Sequence, residues 1–205
     1  MSSYTVTKKK KQFDLSSFLI MIAIILVLSC LIVPFVAIYS YQDIFINNVQ
    51  SWFFATPKIN YFIFAGGLIW FSILIVIFLI YRNNTLMADK KVRLFPFYLA
   101  VIPGIIVILL SLHNYFYLND EGIYYNGLTD LGVKTYKWED VTEAKQLQVI
   151  NNGVMVEGDL VFEFKNGETF NLPVTKEVQL NKRRIYTALR KVDVEVQRIL
   201  PEGQG

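Results

Sequence analysis

The chain has 205 residues, 54% of them hydrophobic and 18% charged, with a formal net charge of +3; its mean hydropathy of +0.39 excludes an ordinary single soluble domain. The charge is unevenly placed: residues 1–118 hold nine Lys/Arg and three Asp/Glu, and residues 119–205 hold eleven and fourteen. The second part is slightly acidic, so the basic total is no argument for nucleic-acid binding.

Residues 1–14 form a basic segment carrying Lys8, Lys9, Lys10 and Lys11. Three runs of more than twenty residues without a charge follow, bounded by Asp14 and Asp43, by Lys58 and Arg82, and by Arg93 and Asp120. A hydrocarbon core about 30 Å thick is crossed by a helix of ~20 apolar residues. The runs therefore predict a three-helix transmembrane region over 15–117, with spans at 15–39, 61–81 and 95–117.

The first span has the charge order of a secretory signal peptide. Signal h-regions, however, stop after ~7–15 residues at small residues suited to cleavage. This one continues to Val36-Ala37-Ile38-Tyr39-Ser40, so a retained signal anchor is expected, with Pro34 as the site of a kink. Cys30, the single cysteine, lies inside it and excludes an intrachain disulfide and a Cys-based metal site. Trp52, Phe53, Phe54 and Tyr61 precede the second span, and Tyr98, Tyr115 and Tyr117 lie at the ends of the third. Interfacial aromatic belts give this pattern.

Lys/Arg bias sets the expected orientation. The N-terminal segment and the loop 82–93, with Arg82, Lys90, Lys91 and Arg93, are basic, whereas the loop between the first two spans has only Lys58. Both basic segments belong inside, and an odd number of spans then leaves everything after Leu118 outside. Within the spans the notable polar residues are Ser29, Ser72, Ser111 and His113, with no Asp, Glu, Lys or Arg. Pumps and ion-coupled transporters reveal themselves through intramembrane ionisable groups, so this absence argues against both. His113 reads as part of the outer aromatic belt. Gly66-Gly67 and Gly104 offer close helix contact.

From Tyr115 the period changes to two. Leu160, Phe162 and Phe164 alternate with Glu163 and Lys165, which predicts a half-buried strand. Asn166-Gly167 then separates it from Thr169–Leu172, a hairpin signal. Turn punctuation recurs at Asp120-Glu121-Gly122, Asp130-Leu131-Gly132 and Asn151-Asn152-Gly153, giving six or seven short strands. The fold class is thus a membrane protein of α + β type. Three transmembrane helices precede an antiparallel β-barrel or sandwich over 118–196, which ends in a helix near 176–191. Thr175 is the expected N-cap of that helix, with Glu177 in its first turn. Val192, Val194 and Val196 fit a closing strand or a continued helix, and 197–205 reads as a tail.

Asp120, Gly122, Ile123 and Tyr124, then Tyr136, Trp138, Asp140 and Val141, then Phe164, Asn166, Gly167 and Leu172 resemble bacterial pleckstrin-homology-like (bPH, YcxB/YdbT-like) domains attached to membrane helices. The resemblance covers about 115–196. It implies a seven-stranded curled sheet capped by a helix and no activity; some members resemble bacteriocin-immunity proteins. Its residues are turn glycines and core aromatics. Many membrane-attached relatives hold the domain inside, opposite to the charge rule here.

Candidate interaction residues are few. Trp138, beside Glu139 and Asp140, is a binding residue or a core anchor of the sheet. Lys182, Arg183 and Arg184, with Arg190 and Lys191, face anionic lipid or wall polymer, or simply form a solvated helix face. Asp120, Glu121, Asp130, Glu139, Asp140 and Glu143 could form an acidic rim, without the oxygen-ligand spacing of an EF-hand. Pleckstrin-homology domains read phosphoinositides through a basic loop after their first strand, and the corresponding region, 126–135, has only Lys134. The part after Leu118 has no His or Cys, and no nucleophile elbow, Walker loop or dinucleotide fingerprint occurs.

The sequence thus predicts a multi-pass cell-membrane protein with its N-terminus cytoplasmic and its β-domain extracellular. That domain is expected to be non-enzymatic, with no cofactor or metal, and to bind a protein, peptide or envelope component. The lipid bilayer is its first partner, a second copy of the chain is another, and nucleic acid is not expected. The alternative is an accessory or self-assembling subunit of a membrane transport or export complex.

Overall fold

The computed structural model describes residues 14–46, 50–130 and 132–200. The lysine cluster 8–11, Leu131 of the expected turn and the last residues of the expected tail, 201–205, lie outside the described residues. The elements in chain order are α1 (Leu15–Ser29), α2 (Val33–Phe45), β1 (Phe53–Ala55), α3 (Ile59–Met87), α4 (Phe95–His113), β2 (Tyr115–Leu118), β3 (Gly122–Asn126), β4 (Lys134–Lys137), β5 (Val141–Asn151), β6 (Val154–Phe164), β7 (Thr169–Leu172), α5 (Lys176–Arg190) and β8 (Val196–Ile199). Contacts divide the chain into two units, Met1–Ala37 with Tyr61–Leu109, and Ile38–Asn60 with Leu110–Gly205.

The first unit is helical. Helices α3 and α4 are each long and apolar enough to cross a membrane, and α1 with α2 makes a third span if the bent pair is counted as one. That pair is bent by 68°. The cause lies at Pro34, which has no N–H for the carbonyl four residues back and fits only the first turn of a new helix. The chain tightens before it, with Cys30 N–H donating to Val27 O at 3.2 Å and Ile32 N–H to Ser29 O at 3.1 Å. The helix then resumes and runs to Phe45, beyond the expected end at Tyr39. Side chains such as Leu28, Ile80 and Phe95 are exposed, the last at 76%. That is the surface a bilayer covers, not water.

Polar contacts in this unit are short-range clips between helices. The Ser72 hydroxyl donates to Ala23 O at 3.1 Å, the Trp70 indole to Ala100 O at 2.9 Å, and Arg82 to Ser16 Oγ at 2.8 Å. Of the three expected contact glycines, Gly67 and Gly104 meet and Gly66 does not: a Cβ on Gly67 would come within 2.6 Å of Ile108 Cγ1 and 3.4 Å of Gly104 O, whereas one on Gly66 would meet nothing within 4 Å. Leucine at Gly67 should therefore destabilise the α3–α4 packing by about 1–3 kcal/mol, and leucine at Gly66 should not. Thermal unfolding of the two variants in detergent checks this, and the reverse ranking would contradict it.

The second unit holds two four-stranded sheets, ordered β1-β2-β3-β4 and β7-β6-β5-β8. All pairs are antiparallel except β5 with β8, which the crossover through α5 makes parallel. Sequence patterning allows a barrel or a sandwich; among the described residues no closed barrel forms. The chain leaves the first sheet through a single 3₁₀ turn, Trp138–Asp140, and β4 and β5 do not pair.

Turn chemistry accounts for the hairpins. Asn119 Oδ1 accepts from the N–H groups of Glu121 and Gly122 at 2.9 and 3.0 Å, closing β2–β3. Gly122 is required there because a Cβ would lie 2.2 Å from Tyr136 O. Asn152 and Gly153, at φ 52° and 78°, make the two-residue β5–β6 turn.

Between the sheets and α5, Ile123, Leu160, Phe162, Leu172, Val178, Ile185 and Leu189 are buried in one core. Thr175 caps α5, its hydroxyl accepting from Val178 N–H, and Glu177 stands in the first turn. Of the alternating valines, Val192 lies in the turn after α5 and only Val196 enters a strand: β8 begins there and carries the second sheet to Ile199, into the segment read as tail.

Two aromatic groups differ from their expected roles. Phe53 and Phe54 belong to β1, paired with Leu118 and Tyr117 of β2, and Phe53 is buried in the core. Tyr115 and Tyr117 likewise lie in β2, because the third apolar helix ends at His113 instead of continuing to 117. Where it ends, its last carbonyls need partners. Gln42 Nε2 donates to Leu112 O at 3.2 Å and to Asn114 O at 3.4 Å. Asn60 Nδ2 donates to Asn114 O at 2.5 Å, and Asn114 Nδ2 returns a bond to Asn60 Oδ1 at 2.7 Å. The Thr56 hydroxyl closes the group by donating to Gln42 Oε1. Gln42, Asn60 and Asn114 are all buried.

Candidate functional site

Helix α5 packs beside β1, and this brings Trp52, just before the strand, against the helix's later half. Between them lies a cavity of ≈ 450 Å³ lined by Trp52, Asp120, Arg183, Arg184, Thr187 and Lys191, with Ala188 as part of its floor. The helical period explains the lining. Residues 183, 187 and 191 recur every four positions on one stripe, and 184 and 188 form the next. Ile185 and Leu189 point into the core.

The site's electrostatics are one-sided. Among the described residues no ion pair involves Arg183, Arg184 or Lys191, while four other lysines are engaged: Lys134 with Asp130, Lys145 with Glu143 and Glu163, Lys165 with Asp140 and Lys182 with Glu157. Three cations and the single carboxylate of Asp120 leave a net charge of +2 around the cavity. Asp120 Oδ1 accepts from the Trp52 indole N–H at 3.3 Å. The Thr187 hydroxyl donates to Arg183 O at 2.8 Å, so its lone pairs remain to accept. Below, Trp52 is stacked on Trp138 with centroids 5.8 Å apart and planes 13° from parallel. The same Trp52 side chain lines the cavity.

The sequence matches no family model and no curated protein.

The structure separates the four residues singled out from sequence. Arg183 and Arg184 line the cavity together. Lys182 faces elsewhere: it bonds Glu157 on β6, and its ammonium lies 5.2 Å from the centre of the Tyr186 ring. Trp138 is only 3% exposed. Its indole donates to Asn119 O at 2.9 Å, and it meets Phe162 edge-on at 6.0 Å, which makes it the core anchor of its two readings.

Nor do the acidic residues form one rim. Asp130 is paired with Lys134, Asp140 with Lys165 and Glu143 with Lys145, while Glu121 accepts from the Tyr124 hydroxyl at 2.9 Å. Burial, followed by that carboxylate, raises the Tyr124 pKa and keeps the phenol a donor. Among the described residues no group of three or more His, Cys, Asp or Glu side chains could hold a metal ion. Lys134, the one basic residue of region 126–135 and the first residue of β4, pairs with Asp130 at 3.3 Å.

Trp52, Asp120 and Thr187 were not joined to the arginines by sequence reasoning. The spacing of 183, 187 and 191 on one helix face was the available signal for Thr187. Nothing in the sequence links position 52 to that face except the pairing of β1 with β2, which three residues are too few to announce.

Proposed function

We propose that this chain is a membrane-anchored, non-enzymatic interaction protein whose pleckstrin-homology-like β-domain binds a protein, peptide or envelope component at the membrane face. The observation that carries the reading is the α5 cavity, where Arg183, Arg184 and Lys191 converge beside Trp52 with Asp120 as the one carboxylate of the lining. Unpaired cations crowded around a concave surface repel one another, and a bound anion offsets that cost. The pleckstrin-homology likeness draws support from seven strands between Tyr115 and Ile199, from α5 packed on their core, and from Gly122 and Gly167 at tight turns. Counting α1 and α2 as one bent span gives three crossings, and with the lysine-rich segments inside the β-domain faces outward.

The rival reading, an assembling subunit of a transport or export complex, draws less support. The close contact at Gly67 and Gly104 is already made within the chain.

A photoreactive amino acid at Thr187 of the full chain, activated in cells, tests the proposal. It should give one specific adduct that disappears when Arg183 and Arg184 are changed to glutamine. The absence of any specific adduct, together with a hydrolase or transferase activity of the purified chain, would overturn it.

A further inference from the structure

We propose that the α5 cavity recognises a phosphorylated polyol, that is, a phosphomonoester carried on a small hydroxyl-bearing chain or ring. This deepens the interaction-domain reading and rests on it. The phosphate is indicated by charge and geometry. A phosphate monoester carries about −1.5 to −2 at neutral pH, which matches the net +2 of Arg183, Arg184, Lys191 and Asp120. Guanidinium groups present planar forks suited to phosphate oxygens, and two adjacent arginines with one lysine supply both fork and point charge. A simple carboxylate ligand would leave one cation unmatched.

The polyol is indicated by the rest of the lining. A cavity of ≈ 450 Å³ is far larger than a phosphate and falls within the range of small-molecule sites. Asp120 would repel a bare anion, yet with Oδ1 held by the Trp52 indole it offers Oδ2 to a hydroxyl donor. The Thr187 hydroxyl, its proton committed to Arg183 O, can accept a second one. Trp52 is stacked on Trp138 and lines the site, and an indole offers a surface suited to the C–H groups of a polyol. The phosphate thus lies toward the two arginines and Lys191, and the hydroxyls toward Asp120 and Thr187. Lys134, the one basic residue of region 126–135, is not among the residues that line the cavity and is paired with Asp130.

The same chemistry occurs in a free phosphorylated metabolite and in a phospholipid headgroup, and one experiment separates them. The full chain in phosphatidylcholine nanodiscs is titrated with glycerol phosphate, inorganic phosphate and glycerol, following Trp fluorescence. In parallel, hydrogen exchange of α5 is compared in nanodiscs with and without phosphatidylinositol phosphate. Saturable glycerol phosphate binding, weakened by on the order of tenfold for each of Arg183→Gln and Arg184→Gln, assigns a free ligand. Protection of α5 only in the phosphatidylinositol phosphate discs, lost in the same variants, assigns a headgroup. Both substitutions are at exposed positions, so unchanged melting keeps the loss interpretable. Binding of inorganic phosphate as tight as glycerol phosphate, or no response in either arm, would overturn the proposal. If that happens while the Thr187 adduct still forms and depends on the arginines, the interaction-domain reading survives and only the ligand class falls.

Discussion

Replacing Trp138 with alanine is expected to destabilise the β unit by about 3–5 kcal/mol, the range for deleting a fully packed large aromatic side chain. The residue sits where the chain passes from one sheet to the other, so its loss opens the core at the one covalent hinge between them. Three contacts go together: the edge-on packing with Phe162, the stack with Trp52 and the indole bond to Asn119 O. Trp138→Phe should cost less, because it keeps most of the buried surface and gives up the indole N–H, a bond worth about 1 kcal/mol. Proteolysis of the full chain in micelles across a urea series measures both. A cost below about 1 kcal/mol for Trp138→Ala would show that the tryptophan is not a core anchor.

The second large effect is expected at Asn60. The residue is fully buried, and its amide is engaged at both ends with Asn114. Asn60→Leu strands the Asn114 amide and leaves Asn114 O with only the longer bond from Gln42 at 3.4 Å. At about 1–3 kcal/mol for each buried group left unpaired, the loss should be roughly 2–4 kcal/mol. Asn60→Asp separates polarity from pairing. A carboxylate can still accept from the Asn114 amide, but it meets the Asn114 carbonyl with no donor and carries a buried charge. It should be no better tolerated than leucine. If Asn60→Asp matched the parent in a detergent melting series, the carbonyl-satisfying role of the network would be wrong.

Legibility in the sequence followed locality. The apolar helices, the capped α5, the Leu160–Phe164 alternation and the Asn-Gly turns depend on residues adjacent in the chain, and the patterns marked them. Pro34 marked the break between α1 and α2 for the same reason. What failed was non-local. Trp52, Phe53 and Phe54 have the composition of an interfacial belt, and only the pairing of β1 with β2, more than sixty residues on, makes Phe53 and Phe54 strand and buries Phe53 in the core. The same pairing puts Trp52 beside α5 and so creates the cavity. The network of Gln42, Asn60 and Asn114 was equally hidden, since three isolated amides carry no pattern until the fold gathers them. Of the four singled-out residues, Trp138 is buried and Lys182 is paired with Glu157 on β6, while Arg183 and Arg184 line the cavity. Neither Glu157 as that partner nor Trp52 as a wall was readable from spacing.

Which side of the membrane the β-domain occupies decides whether its cavity can meet an outer ligand at all, and thiol labelling reads this directly. Asn152 holds a left-handed φ of 52°, which cysteine would strain, so the reporter belongs at the neighbouring exposed Asn151. In a Cys30→Ser background, Asn151→Cys should react with a membrane-impermeant thiol reagent in intact cells, to the same extent as after lysis. Reaction only after lysis would contradict the outward-facing domain, and with it the count of three spans or their orientation.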